Sequence, residues 1–390
     1  MKNKFPIIIA LVAVLIIVGA TLSIKQTPDT ESEVNTIPAY IAIEHADAES
    51  KVYKISGADK ILLLTIERSP ENPTKPSATL SLDGNTLIYA DHWGNLNSFS
   101  IQTGSTTIIK KGVSDREEQT PPPKISEFYV ARKAQFSPDG KKIAVNWSGW
   151  EWSGIGLMNA DGTNYQEIRS RCWINDFTWA PDSQTFAIGA VWDGMGGAPA
   201  CLHIGNINTI GQPNDHKELL IPEGLGPRDE TEADSYYKDV HFPQFSPAGD
   251  TIAFSYVHNM STTSIGNPAF VPKVDLFTIN KDGSGLNRVT IDDIGIVKTL
   301  WKDDSTLIYG RDGQGIAGIY SVTTNTSSTT RLTTSSHDRY EAVSISPSGT
   351  FLIYQALPKA ESAALMHLYN FETKESTELG TNMSFVGWVR

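Results

Sequence analysis

The stretch Phe136-Ser137-Pro138-Asp139-Gly140-Lys141-Lys142-Ile143-Ala144-Val145 decides how this chain folds. Pro138 pre-sets its own φ, the Asp139 carboxylate can bond the backbone two residues on, and Gly140 supplies the positive φ that closes a tight turn. Ile143, Ala144 and Val145 then make a short apolar run of the kind that fills a strand buried on both faces. The cassette returns five times. Its copies are Leu82-Asp83-Gly84 into Leu87-Ile88-Tyr89, Trp179-Ala180-Pro181-Asp182-Ser183 into Phe186-Ala187-Ile188, and Phe245-Ser246-Pro247-Ala248-Gly249 into Ile252-Ala253-Phe254. Two more are Trp301-Lys302-Asp303-Asp304-Ser305 into Leu307-Ile308-Tyr309 and Ile345-Ser346-Pro347-Ser348-Gly349 into Phe351-Leu352-Ile353-Tyr354.

The turn anchors Asp83, Asp139, Asp182, Ala248, Asp304 and Ser348 lie 56, 43, 66, 56 and 44 residues apart. The two short spacings set a minimal unit of about 43 residues, the length of a four-stranded propeller blade. A third strand, a tight turn and a fourth strand follow each hairpin, most clearly around Asp161-Gly162 and Asp282-Gly283. Those two Asp-Gly pairs lack the alternating oxygen ligands of a calcium loop, so they are hairpin turns. The chain ends supply one further unit. Residues 40–44, 51–55 and 61–66 read as second, third and fourth strands without a first, and 384–390 reads as a first strand without followers. Joined, they close a ring and remove two exposed edges. The expected fold is all-β, a seven-bladed β-propeller over residues 39–390 with one split closing blade. Six blades is the alternative, if the N-terminal strands pack elsewhere.

Residues 1–24 read as a transmembrane anchor or signal peptide. An apolar run over 5–24 follows Lys2 and Lys4, and at about 1.5 Å per residue it spans roughly 30 Å, a hydrocarbon core. The lysines hold the N-terminus inside, so the remainder is exported. Val18-Gly19-Ala20 has the small-residue pattern of a cleavage site. The expected location is the cell membrane, single-pass with the propeller extracytoplasmic, or secretion after cleavage. Residues 25–38 are polar and acidic, a flexible stalk, so the membrane is met through the N-terminal helix only. A net charge of −12 with no basic run excludes nucleic acid as a partner, because phosphate recognition needs a positive footprint.

The Ser-Pro-Asp-Gly anchor, the Asp-Gly turn and the strand ends Val289-Thr290 and Leu332-Thr333 resemble the TolB-like β-propeller family over residues 38–390. The resemblance implies a fold used as a binding scaffold or attached to a peptidase. The α/β domain that precedes the propeller in TolB is not expected here.

Catalytic motifs are missing from the sequence: no Gly-x-Ser-x-Gly elbow, no His-Glu-x-x-His, no phosphate-binding loop. The eight histidines are dispersed without metal-ligand spacing, so no catalytic residue, metal or cofactor is assigned. The extra residues carry more information. Insertions at 112–129, 148–154, 193–199, 223–241 and 257–272 all fall in loops that emerge on one face of a propeller, which marks that face for binding. Trp93, Trp147, Trp150, Trp152 and Trp192 lie in or beside second-to-third strand loops; Trp173, Tyr236, Tyr237 and His241 lie in fourth-to-first strand loops. Glu151, Asp176, Asp193 and Asp239 are interleaved with them, and His258 lies in the last insertion. Exposed aromatics among carboxylates suit sugar rings, peptides or cations. For Trp147 and Trp192, at strand ends, packing between blades is the competing expectation. Cys172 and Cys201 are a natural disulfide pair in an exported chain, closing a loop of about 30 residues. The expected role is a recognition module for an envelope protein, peptide or glycan at the insertion-rich face. The alternative is an envelope-polymer hydrolase or lyase with a loop-assembled site at the channel mouth.

Overall fold

The structure, a computed structural model, describes residues 37–68, 76–112, 131–148, 153–168, 173–191, 202–210, 216–219, 240–257, 274–291, 294, 298–313, 316–333, 337–357 and 363–389. Each Ser-Pro turn closes as its residues require. Gly140 takes φ 72° and donates its N–H to the Ser137 carbonyl at 2.8 Å, and Gly249 and Gly349 do the same to Ser246 and Ser346. The aspartates act as turn acceptors: Asp83 Oδ1 takes the Ser81 hydroxyl at 2.6 Å and the Asn85 N–H at 3.0 Å. Those bonds, the Ser81 hydroxyl first, hold the Asp83 carboxyl below its ordinary range. In the fifth cassette the role falls to Asp303, which accepts the Ser305 N–H at 2.9 Å. The anchor Asp304 instead reaches the preceding blade and accepts the Ala248 N–H at 2.8 Å.

Around these turns the described residues form twenty-eight strands in seven four-stranded antiparallel sheets. The first three strands are β1 (Tyr40–His45), β2 (Glu49–Ser56) and β3 (Asp59–Glu67). Blade 1 follows with β4 (Ala78–Leu80), β5 (Thr86–Ala90), β6 (Leu96–Ser100) and β7 (Thr106–Lys110). Blade 2 holds β8 (Ala131–Phe136), β9 (Lys142–Ser148), β10 (Ser153–Asn159) and β11 (Gln166–Ile168). Blade 3 holds β12 (Trp173–Trp179), β13 (Thr185–Val191), β14 (Leu202–Asn206) and β15 (His216–Leu219). Blade 4 holds β16 (Val240–Phe245), β17 (Thr251–Val257), β18 (Val274–Asn280) and β19 (Asn287–Arg288). Blade 5 holds β20 (Thr299–Asp303), β21 (Thr306–Arg311), β22 (Gly318–Thr323) and β23 (Ser328–Arg331). Blade 6 holds β24 (Arg339–Ile345), β25 (Phe351–Leu357), β26 (Leu365–Asn370) and β27 (Ser376–Thr381).

The last strand, β28 (Met383–Trp388), pairs antiparallel with β1, so the closing sheet runs β28-β1-β2-β3. The split blade is therefore present, built from both ends of the described chain. His45 ties its halves together, with Nδ1 on the Ser50 hydroxyl and Nε2 on the Ser384 hydroxyl, each at 3.0 Å.

Seven apolar clusters follow, one at each blade-to-blade interface, and residues 37–390 form one compact unit. The cluster between the closing blade and blade 1 joins Ile41, Ile43, Val52 and Ile66 to Leu87, Tyr89 and Phe99. Ring closure therefore rests on interior packing and not on strand pairing alone. Blades approach closely where bulk is absent: a Cβ on Gly310 in blade 5 would overlap the Tyr340 carbonyl of blade 6. The Val-Thr and Leu-Thr strand ends also have a structural use. Thr290 and Thr333 hydroxyls accept the Leu276 and Ile319 N–H groups, each at 3.0 Å. Residues 1–36, the expected anchor and most of the stalk, lie outside the described residues; among the described ones no helix is long and apolar enough to cross a membrane.

Candidate functional site

The first strand of each blade, β4, β8, β12, β16, β20, β24 and β28, is an edge strand of its sheet, and these edges line the central channel. At the Ser-Pro turn end, the first strands of blades 2 to 6 enclose a cavity of about 450 Å³. Phe136, Trp179, Phe245, Trp301 and Ile345 give it apolar wall, while Gln135, Gln244, Thr178 and Ser344 add amides and hydroxyls. The indoles also fix the wall. Trp179 Nε1 donates to the Gln135 carbonyl at 3.4 Å, Trp301 Nε1 to the Gln244 carbonyl at 3.0 Å, and Trp388 Nε1 to the Ser344 hydroxyl at 3.1 Å. Each bond runs from one blade to the preceding one.

Deeper in the channel the lining becomes charged. Lys133, Asp176 and Lys298 each stand three residues ahead of a large aromatic residue of the first strand, Phe136, Trp179 and Trp301. Bulges fall between Ala131 and Lys133, Ile174 and Asp176, His241 and Gln244, Trp301 and Asp303, Ala342 and Ser344, and Phe385 and Gly387, in six of these strands. Such bulges re-aim side chains along an edge. In β16 the bulge holds Phe242 in the left-handed region at φ 51°, an uncommon place for a bulky residue, and its N–H donates to Asp176 Oδ2 at 3.1 Å. Lys298 donates to the Val343 carbonyl at 3.2 Å. Burial, helped by the Lys133 charge and opposed by Glu341 and Asp176, pushes its ammonium down to about 8. Thus one cation, Lys133, and two anions, Asp176 and Glu341, from blades 2, 3 and 6 lie within electrostatic reach of Lys298. Among the described residues none of them is within ion-pair distance of another. A recess of about 20 Å³, room for one water-sized group, lies between Lys133, Gln135, Asn146 and Asp176.

Of the residues expected from sequence, Asp176 lines this channel. Trp93 is 68% exposed in the turn between β5 and β6 and packs against His92 at 4.5 Å. Trp147 is only 3% exposed, and a Cβ on Gly154 would run into its ring, so it packs inside blade 2 and offers no stacking surface. His241 is also buried, at 8%, inside the wall and not on a loop. Trp173 begins β12. Trp150, Glu151, Trp152, Trp192, Asp193, Tyr236, Tyr237, Asp239, His258, Cys172 and Cys201 lie outside the described residues, as do most of the five insertions. Among the described residues no three His, Cys, Asp or Glu side chains are grouped to hold a metal ion. Sequence reasoning missed Lys133, Lys298 and Glu341. Aligning the cassettes on their apolar strand ends would have found the first two.

No protein-family profile and no curated protein matches the chain. Solved structures do share its fold. It is similar to a puromycin-hydrolyzing peptidase from Mycobacterium tuberculosis at TM-score 0.58 and 10% identity, over 90% of this chain and 53% of that one. It is similar to an oligogalacturonate lyase solved in complex with manganese, at TM-score 0.54 and 12% identity, over 89% and 85%. TolB from Acinetobacter baumannii matches at TM-score 0.45 and 14% identity, over 89% of this chain and 63% of that one. The chain thus spans about half the length of the peptidase and 63% of TolB. The likeness to the peptidase and the lyase, at 10% and 12% identity, shows the propeller fold alone.

Proposed function

We propose that this chain is a recognition module, tethered to the cell membrane by residues 1–24, whose extracytoplasmic propeller binds an envelope protein, peptide or glycan. The observation that carries the reading is the mouth at the Ser-Pro turn end. Its cavity of about 450 Å³ mixes apolar wall with amides and hydroxyls from five blades, the lining that suits a preformed binding pocket. Interblade indole bonds hold that wall in place, so little ordering is needed on binding. The insertion-rich face, with Trp93 and the loop aromatics expected there, is the other surface a partner would meet. One observation favours the hydrolase or lyase reading instead: an ammonium at about 8 among two carboxylates is tuned for proton transfer near neutral pH.

The test is a comparison of variants. Full-length protein in detergent is immobilised and exposed to envelope protein, peptide and glycan fractions. Gln135→Arg and Gln244→Arg, which crowd the mouth, are expected to reduce the retained partner at least tenfold, while Trp93→Ala reduces it less. Loss with Trp93→Ala alone moves the site to the insertion-rich face. Turnover of a glycan or peptide fraction, abolished by Lys298→Met, replaces the binding reading with the enzymatic one.

A further inference from the structure

The mouth and the charged section are two parts of one path. Gln135 lines both the large cavity and the small recess beyond it, and Lys133 lies two residues further along the same strand. At about 3.3 Å per residue the charged section begins roughly 7 Å inside the mouth. An ammonium carries three donors. Lys298 uses one on the Val343 carbonyl, and Lys133 is exposed with no hydrogen bond or ion pair among the described residues. Asp176, by contrast, has one carboxylate oxygen engaged by the Phe242 N–H.

Resting on the peptide form of the reading above, we propose that the channel captures the C-terminal carboxylate of an extended peptide that enters through the Ser-Pro turn mouth and ends between Lys133 and Lys298. Charge complementarity selects the carboxylate, since both free donor sets are cationic and charge-assisted bonds of this kind are strong. The recess beside Lys133, set between blades 2 and 3, favours a chain end: it holds about one water-sized group, room for a carboxylate oxygen and not for a continuing chain. Amides of Gln135 and Gln244 stand where the last peptide groups would pass. The depressed titration of Lys298 agrees with this geometry, because a bound carboxylate would relieve the repulsion from Lys133 while Asp176 and Glu341 stay in place.

Full-length protein in detergent is tested with three probes: N-acetyl-Gly-Ala-Leu-Ala as free acid, the same peptide as C-terminal amide, and acetate. Equilibrium dialysis measures binding of the two peptides. Competitive acetylation with peptide mapping measures the reactivity of Lys133 and Lys298 against Lys141, whose side chain is 81% exposed. The free acid is expected to bind at least tenfold tighter than the amide and to slow labelling of both channel lysines at least fivefold. Lys298→Met or Lys133→Met should erase the acid-over-amide preference. Equal binding of acid and amide, competed by Gln244→Arg, overturns the carboxylate inference and leaves the mouth reading standing. Binding of neither peptide overturns the inference, while the envelope-fraction comparison still judges the wider reading. Protection by acetate as strong as by the peptide acid means a small organic acid is the occupant, and the peptide end is wrong.

Discussion

Lys298 is a single residue whose environment can be read through stability. Its ordinary value of 10.5 falls to about 8 in the folded protein. Between those values the unfolded chain binds more protons than the folded one, so stability rises with pH across that window. Below about 8 the charged ammonium carries its full desolvation penalty. Lys298→Met keeps the length of the side chain and removes the charge. We expect this variant to melt higher than the parent at pH 7, with the gain shrinking as pH is raised toward 10. Thermal melts of both proteins at pH 7, 8.5 and 10 check it, and a gain independent of pH would mean that Lys298 is solvated like a surface lysine. Nothing in the local sequence around Lys298 announced this. A lysine just ahead of a strand reads as a solvated side chain, and only the inward wall of the ring makes it otherwise.

At the scale of the element, the hairpin cassette was fully legible because its causes are local. Proline, aspartate and glycine at fixed offsets specify the turn, and the apolar triplet after it specifies a buried strand. The fifth copy shows the limit of such reading: two adjacent aspartates fit the anchor equally well in sequence, and hydrogen bonding gives the turn to Asp303 and the interblade contact to Asp304. The split blade was legible from strands without partners at the two ends. Its pairing runs from Tyr40 opposite Trp388 to Glu44 opposite Met383. Deleting residues 384–390 removes most of β28 and leaves β1 with an unpaired edge. It also removes the Trp388 indole bond to Ser344. The truncated protein is expected to melt at least 5 °C below the intact one, since each kcal/mol shifts the melt by roughly 1.4 °C in a domain of about 350 residues and several kcal/mol of packing are lost. A melt within a degree or two of the parent would mean the closing strand contributes nothing to the ring.

For the whole molecule, the open question of scale is where the ring sits in the cell. If, as we propose, Lys2 and Lys4 stay inside and residues 5–24 serve as the anchor, the propeller faces outward. Protease added to intact spheroplasts is expected to degrade residues 38–390 while a cytoplasmic control survives; a protected propeller would remove the envelope from the list of partner sources. The ring also explains why the mouth is rigid. Each blade buries its faces only against its neighbours, so every first strand is held from both sides and loop variation costs the scaffold little.

The sequence by itself determined the strands, the turns, the seven-fold count and the split closure, because each rests on interactions within about 43 residues or on the periodic repetition of one unit. Only the tertiary structure decided which side chains meet. Lys133, Asp176, Lys298 and Glu341 come from four blades, up to 208 positions apart in the chain, and share a space only after the ring closes. For Trp147 the sequence left both a binding and a packing role open, and the structure buries it over Gly154, because the width of the gap beside a strand is set by its neighbour and not by its own sequence.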